Sequence, residues 1–134
     1  MSKLDGPILV TGGAGFIGSN LADRLAASGR DVVILDSLRR DGVGRNLAWL
    51  QSRHRGRIRS IVADVRDEDA LGRAVTDAAA VFHLAAQVAV TSSLVDPLED
   101  FSVNLGATVK LLEAARRRGR GAPVIFASTN KVYG

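Results

Sequence analysis

The sequence predicts an α/β protein built on a doubly wound parallel sheet with strand order 3-2-1-4-5. Three observations carry this: short apolar runs alternate with segments of helical periodicity, a glycine-rich turn joins the first run to the first helical segment, and an aspartate closes the second run. Strands that alternate with helices are joined by right-handed crossovers, which place the strands parallel and the helices on both faces.

Taken in order, Ile8-Leu9-Val10 is an unbroken apolar run between Gly6-Pro7 and the glycine turn, as expected of a strand buried on both faces. From Gly15 to Ser28, Phe16, Ile17, Leu21, Ala22 and Leu25 recur at helical spacing until Gly29 ends the pattern. Val32 to Leu35 is a β-branched run closed by Asp36, and Ile58 to Val62 is a third run followed by Asp64. Asn46, Leu47, Trp49 and Leu50 suggest a short helix between them. Asp67 reads as the N-cap of a helix through Leu71, Ala74 and Val75, and Ala80 to Leu84 as a fourth strand. Asp96-Pro97 opens a longer helix through Phe101, Leu105, Val109, Leu112 and Ala115, with proline in the first turn, where its missing N–H costs nothing. Val124 to Ala127 is the fifth strand. One domain over residues 1–134 accounts for the whole pattern, and a chain of this length can bury a substantial core.

Composition narrows the chemistry. With 46% hydrophobic and 24% charged residues the chain reads as an ordinary folded protein. It contains no cysteine, so a disulfide framework and a thiolate metal site are both ruled out, and His54 and His83 alone cannot complete a zinc shell. The opening Met-Ser-Lys-Leu-Asp-Gly-Pro lacks the basic start and apolar run of a signal peptide, and no apolar stretch approaches a membrane span. The expectation is a cytoplasmic protein without a membrane partner. A net charge of +4 and the run Arg116-Arg117-Arg118-Gly119-Arg120 raise the question of nucleic acid. Arginines at a helix C-terminus complement the helix dipole and a following glycine caps it, so no nucleic-acid partner is expected.

The chemistry concentrates at the ends of the predicted strands. In Thr11-Gly12-Gly13-Ala14-Gly15-Phe16-Ile17-Gly18, Gly12 would make the tight turn, Gly15 would admit a pyrophosphate to the backbone, and Gly18 would let helix and strand pack closely. The first amides of the helix, including those of Phe16 and Ile17, would supply donors and a partial positive charge to phosphates. Asp36, roughly twenty residues beyond the turn, is placed to accept both hydroxyls of an adenosine ribose, with Ser37 beside it. A 2′-phosphate would meet like charge there, which favours NAD, while Arg39-Arg40 keep NADP open through pairing with that phosphate. Asp64-Val65 would lie near the adenine, and Leu84-Ala85-Ala86-Gln87 would let a cofactor lie against the edge of the sheet. His83, just before them, is more simply read as a satisfied structural group than as a chemical one.

Read together, Thr11 to Gly18, Asp36, Asp64-Val65, His83 to Ala86, Asn104 and Phe126 to Gly134 resemble the extended short-chain dehydrogenase/reductase family, the NAD-dependent epimerases and dehydratases of nucleotide sugars. Within it, residues 36–40, 46–50 and 128–134 look most like the CDP-sugar 2-epimerases. The resemblance implies a Rossmann fold, bound NAD with Arg40 and Asn104 among its contacts, and a nucleotide-sugar substrate. It also implies transient hydride transfer, with the cofactor carrying the redox chemistry. Thr129 occupies the position at which the family uses a serine or threonine to hydrogen-bond the reacting sugar hydroxyl.

Two departures stand out. The family's base is the tyrosine of a Tyr-x-x-x-Lys motif, and this chain's one tyrosine, Tyr133, has no lysine after it. Ala107 stands where the family usually has glycine. The expectation is therefore a cofactor-binding portion whose base and sugar pocket come from further sequence. The alternative is an inactive half-domain serving as a nucleotide-binding module, or one forming a homodimer through an exposed edge at Val124 to Ala127.

Overall fold

The computed structural model describes residues 5–118 and 121–129. Five parallel strands form one sheet in the order β3-β2-β1-β4-β5: β1 (Ile8–Thr11), β2 (Val32–Asp36), β3 (Ile58–Val62), β4 (Ala80–His83) and β5 (Val124–Phe126). This is the predicted doubly wound arrangement. The register aligns Thr11 with Leu35 on one side and His83 on the other, so the carboxyl ends of the three central strands form one edge.

The unbroken apolar runs follow from burial on both faces. Ile8, Val10, Val32 and Ile34 point to one face, under α1 (Phe16–Ala27) and α2 (Val43–Arg53), where Ala22, Ala26, Leu47 and Leu50 meet them. Leu9, Val33, Leu35 and Val81 point to the other, against Ala70, Leu71, Ala74 and Val75 of α3 (Glu68–Val75) and against Ala107 and Leu111. Fully burying a leucine or isoleucine stabilises by about 1.5–3 kcal/mol. Asp67 caps α3 as its spacing predicts, its carboxylate accepting the Ala70 N–H at 3.0 Å.

The region after β4 departs from the sequence reading. A short helix, α4 (Val90–Val95), forms where none is predicted. The single long helix expected from Pro97 is interrupted: α5 (Pro97–Phe101), capped by Asp96 onto the Glu99 N–H at 3.0 Å, runs into a π-helical turn (Ser102–Gly106) and then α6 (Ala107–Arg117). The stripe that predicted this helix, Phe101, Leu105, Val109 and Leu112, faces outward, and the buried face is Val103, Ala107, Leu111 and Ala114. Ala107 fits because its methyl is completely enclosed in that core. At the end of α6, Arg116 and Arg117 pair with Glu113 at 2.7 and 3.0 Å, and Arg118 donates to the Ala78 carbonyl. Gly119 and Arg120 of that basic run, and residues 130–134, lie outside the described residues.

Candidate dinucleotide site

The site begins where β1 runs out. Gly12 has φ +67, and a Cβ there would lie 2.8 Å from the Ala85 nitrogen, so glycine is required by both conformation and space. At Gly18 a Cβ would lie 2.3 Å from the Gly12 carbonyl oxygen. The close packing expected of Gly18 is therefore between the helix and the turn itself. Gly15 differs from both: it has φ −70, and a Cβ would meet only the Gly12 oxygen, at 3.3 Å. The space beyond Gly15 is open.

Gly15 is the N-cap of α1 and carries no capping side chain. Its own N–H returns to the Gly12 carbonyl at 3.1 Å, but among the described residues the N–H groups of Phe16 and Ile17 take no acceptor. These are the orphan donors of a helix start, directed at an open face with the positive end of a twelve-residue helix behind them. The side chains of Phe16 and Ile17 are exposed.

Asp36 ends β2 beside this turn. One carboxylate oxygen accepts the Ala14 N–H at 3.1 Å and the other the Leu38 N–H at 2.9 Å, the latter with Leu38 in a left-handed conformation at φ +56. Each oxygen has two lone pairs, so each keeps one acceptor position for a hydroxyl. Ser37 follows half-buried, and Arg40 is exposed in the turn before α2. Arg39 reaches across to the Asp64 carboxylate at 3.4 Å.

Asp64 is more heavily engaged than its sequence position suggests. Arg66 holds it in a two-pronged contact, Nε to Oδ1 at 2.8 Å and Nη2 to Oδ2 at 2.7 Å, with the Arg66 N–H also on Oδ1. These donors hold the Asp64 carboxyl down at about 2. Arg66 continues to Glu99 at 2.5 Å and Ser102 at 3.1 Å, tying the end of β3 to α5 and the π turn. Val65 corrects the expectation of an apolar surface beside a ring: its side chain is buried with Leu9, Leu35 and Leu71, because it faces the α3 side of the sheet.

Beyond β4, Leu84 and Ala85 are half-buried and Ala86 is exposed. The peptide groups of Gln87 are clamped by Asn104, which accepts the Gln87 N–H at 2.8 Å and donates to its carbonyl at 3.1 Å. Asn104 sits within the π turn and is steadied by Asp100 at 3.0 Å. His83 is 1% exposed and joins this clamp to β1. Thr108 gives its hydroxyl proton to the Asn104 carbonyl at 2.6 Å, so His83 Nε2–H is the donor toward Thr108 at 2.9 Å. His83 Nδ1 then accepts from the Thr11 hydroxyl at 2.7 Å, and that same oxygen accepts the N–H groups of Leu84 and Ala85, each at 3.2 Å. Burial lowers the His83 pKa, which keeps this ring neutral. Thr129 lies exposed beyond β5.

The residues assembled along the strand ends are thus the glycine turn, Asp36, Leu84 to Gln87 and Asn104. Sequence reasoning gave no site role to Asn46, which donates to the Ala14 carbonyl at 2.8 Å, or to Arg66. Among the described residues, no cluster of three His, Asp or Glu side chains is placed to hold a metal, and no helix is long and apolar enough to cross a membrane.

Fold and turn together define a Rossmann-type α/β protein with a glycine turn of the dinucleotide-binding kind. The chain belongs to the GDP-mannose 4,6 dehydratase family, whose model matches residues 9–134. It is 43% identical over 129 residues to the CDP-paratose 2-epimerase of Salmonella typhi, covering 95% of this chain and 38% of that enzyme. It is 44% identical over 127 residues to a UDP-glucose 4-epimerase of Mycolicibacterium smegmatis, covering 94% and 40%. Among solved structures, the UDP-glucose 4-epimerase of Bifidobacterium longum in complex with NAD+ and UDP superposes with a TM-score of 0.84 at 31% identity, over 96% of this chain and 38% of that one. The UDP-glucose 4-epimerase of Stenotrophomonas maltophila, with bound NAD and formylated UDP-arabinopyranose, gives 0.82 at 33% identity, over 96% and 38%. The chain therefore spans about two-fifths of the length of these relatives.

Proposed function

We propose that this chain is the NAD-binding portion of a nucleotide-sugar epimerase or dehydratase. The observation that carries the reading is the open face at Gly15, with the acceptor-free amides of Phe16 and Ile17 beside it and the Asp36 carboxylate at the neighbouring strand end. A dinucleotide fits this donor and acceptor set. The amides of α1 receive the pyrophosphate, and Asp36, with Ser37 and Arg40 nearby, receives the adenosine ribose. Gly12 and Gly18 hold the turn in shape, while Leu84, Ala85, Ala86 and Gln87, braced by Asn104, form the wall under the nicotinamide half. Asp64 and Val65 border the adenine through their backbone, since the Asp64 carboxylate is committed to Arg66 and the Val65 side chain to the core.

When bound, NAD supplies hydride acceptance and return at a sugar carbon. This chain's own share is to hold the dinucleotide, and through Thr129 to hydrogen-bond the reacting hydroxyl of a nucleotide sugar. Within residues 1–134 no lysine follows Tyr133 in a Tyr-x-x-x-Lys spacing, so the role read for this chain is cofactor binding. Asp36 favours NAD over NADP by like-charge repulsion, and the engagement of Arg39 with Asp64 directs one of the two neighbouring arginines away from a 2′-phosphate. A cytoplasmic setting is part of the same proposal.

Titration with NADH and NADPH, followed by cofactor fluorescence, tests the proposal. NADH is expected to bind more tightly, and Asp36→Ala to weaken NADH by roughly tenfold or more, the loss of hydrogen bonds to a charged group. Tighter binding of NADPH would reverse the assignment of Asp36.

One observation favours a second reading, a self-associating module. In the edge strand β5, Ile125 and Phe126 are 51% and 53% exposed, and exposed apolar edges pair with other chains. A dimer in sedimentation velocity that Ile125→Lys converts to monomer would support it.

A further inference from the structure

Asn46 stands in a segment that no part of the dinucleotide reading uses, yet it reaches the heart of the glycine turn. Its Nδ2 donates to the Ala14 carbonyl at 2.8 Å across a separation of 32 residues. That carbonyl shares a peptide plane with the Gly15 N–H, which is held by the Gly12 carbonyl at 3.1 Å. The preceding plane, between Gly13 and Ala14, is held by Asp36 through the Ala14 N–H at 3.1 Å. Two consecutive peptide planes are therefore fixed immediately before the open amides of Phe16 and Ile17. A third point of support would be of little use on a mobile arm, and α2 is not one. Leu47 and Leu50 anchor it in the core, and its far end is tied to Asp23 of α1 by Arg53 at 2.8 Å and His54 at 2.6 Å.

We infer that Asn46 is a positioning residue for the pyrophosphate turn, acting through the Ala14 carbonyl without touching the ligand. The inference rests on the dinucleotide reading above. Its chemistry is specific: the position needs a neutral side chain that donates. An aspartate of the same shape would set a carboxylate oxygen against the Ala14 carbonyl oxygen, with the Asp36 charge close by, and would repel where asparagine attracts.

The test compares the unsubstituted chain with Asn46→Asp and with Asn46→Ala, the latter removing the donor without adding charge. Two measurements are made: NADH affinity by fluorescence and amide exchange by NMR across residues 12–19. The expected result is a loss of NADH affinity of about five- to tenfold in Asn46→Ala, the worth of one hydrogen bond in partly buried surroundings, and a larger loss in Asn46→Asp. Faster exchange should be confined to the turn, with protection in β2 and β3 unchanged, and adenosine, which has no pyrophosphate, should bind all three proteins alike. A merely structural role for Asn46 would lower protection throughout α2 and weaken adenosine as well, and would overturn the inference. So would unchanged NADH affinity in variants of a chain that binds it. If the unsubstituted chain fails to bind NADH, the dinucleotide reading of the isolated chain falls by itself. Amide exchange then decides the role of Asn46, with equal turn exchange in all three proteins overturning it.

Discussion

The hydroxyl of Thr11 lies 2.7 Å from Nδ1 of His83, and the ring is held so that this nitrogen is the acceptor. Thr11 ends β1 and His83 ends β4, so one neutral imidazole fastens the two central strand ends at the point where the glycine turn departs.

The burial of this ring makes stability depend on pH. Burial lowers the folded-state pKa of His83 below the 6.5 of an exposed imidazole, so the unfolded chain takes up a proton that the folded chain refuses. Its contribution is present above the unfolded value and is lost as pH falls from about 6.5 toward the lower folded value, at up to about 1.4 kcal/mol per pH unit. Urea unfolding between pH 7.5 and 5 should show this slope, and His83→Gln should flatten it. An equally steep slope in the variant would place the proton elsewhere.

Two glycines of the turn should separate folding from binding. Gly18→Ala forces a methyl to within 2.3 Å of the Gly12 oxygen and 2.7 Å of the Gly13 Cα, and overpacking of that kind costs about 1–3 kcal/mol. Thermal unfolding should begin several degrees lower. Gly15→Ala meets only the Gly12 oxygen at 3.3 Å and should change stability by less than about 1 kcal/mol. Its methyl would nevertheless occupy the open face, and NADH binding should be lost. Retained binding in Gly15→Ala would show that the pyrophosphate does not lie there.

Arg66→Gln should release Asp64. The paired carboxyl sits at about 2 in the folded protein, and without the guanidinium its titration should return toward the ordinary value near 3.8. A carboxyl lowered in the fold stabilises it above its unfolded pKa, and that help is lost as pH falls through about 4 toward 2. Carbon-detected NMR of the Asp64 carboxyl reads the shift, and acid unfolding should move to higher pH in the variant. An Asp64 titration unaffected by the substitution would contradict the geometry.

The strands and the glycine turn were legible in the sequence because short-range sterics determine them. Runs such as Val32 to Leu35 are apolar at every position when both faces of a sheet are covered, and Gly12 and Gly18 stand where backbone meets backbone. Asp36 was legible by its place at a strand end. Asn46, Arg66 and the links from His83 to Thr11 and Thr108 were not, since each joins residues 25 to 72 positions apart at one of its contacts. In sequence, a polar residue does not disclose a partner so far along the chain. The long helix misled for a different reason: an outward apolar stripe has the same periodicity as a buried one.

The π turn at Ser102–Gly106 acts as an indexing joint. Its Ala107 N–H reaches back five residues to the Ser102 carbonyl, one more than an α-helix allows, and each residue of an α-helix turns the axis by about 100°. Two demands on one rod are thereby met at different phases. Before the joint, Glu99 stays on Arg66; after it, Ala107 and Leu111 stay beneath the sheet. Deleting one residue from the joint would restore regular pitch and leave the helix unbroken, but it would rotate α5 against α6, so that one of these two attachments would have to be surrendered.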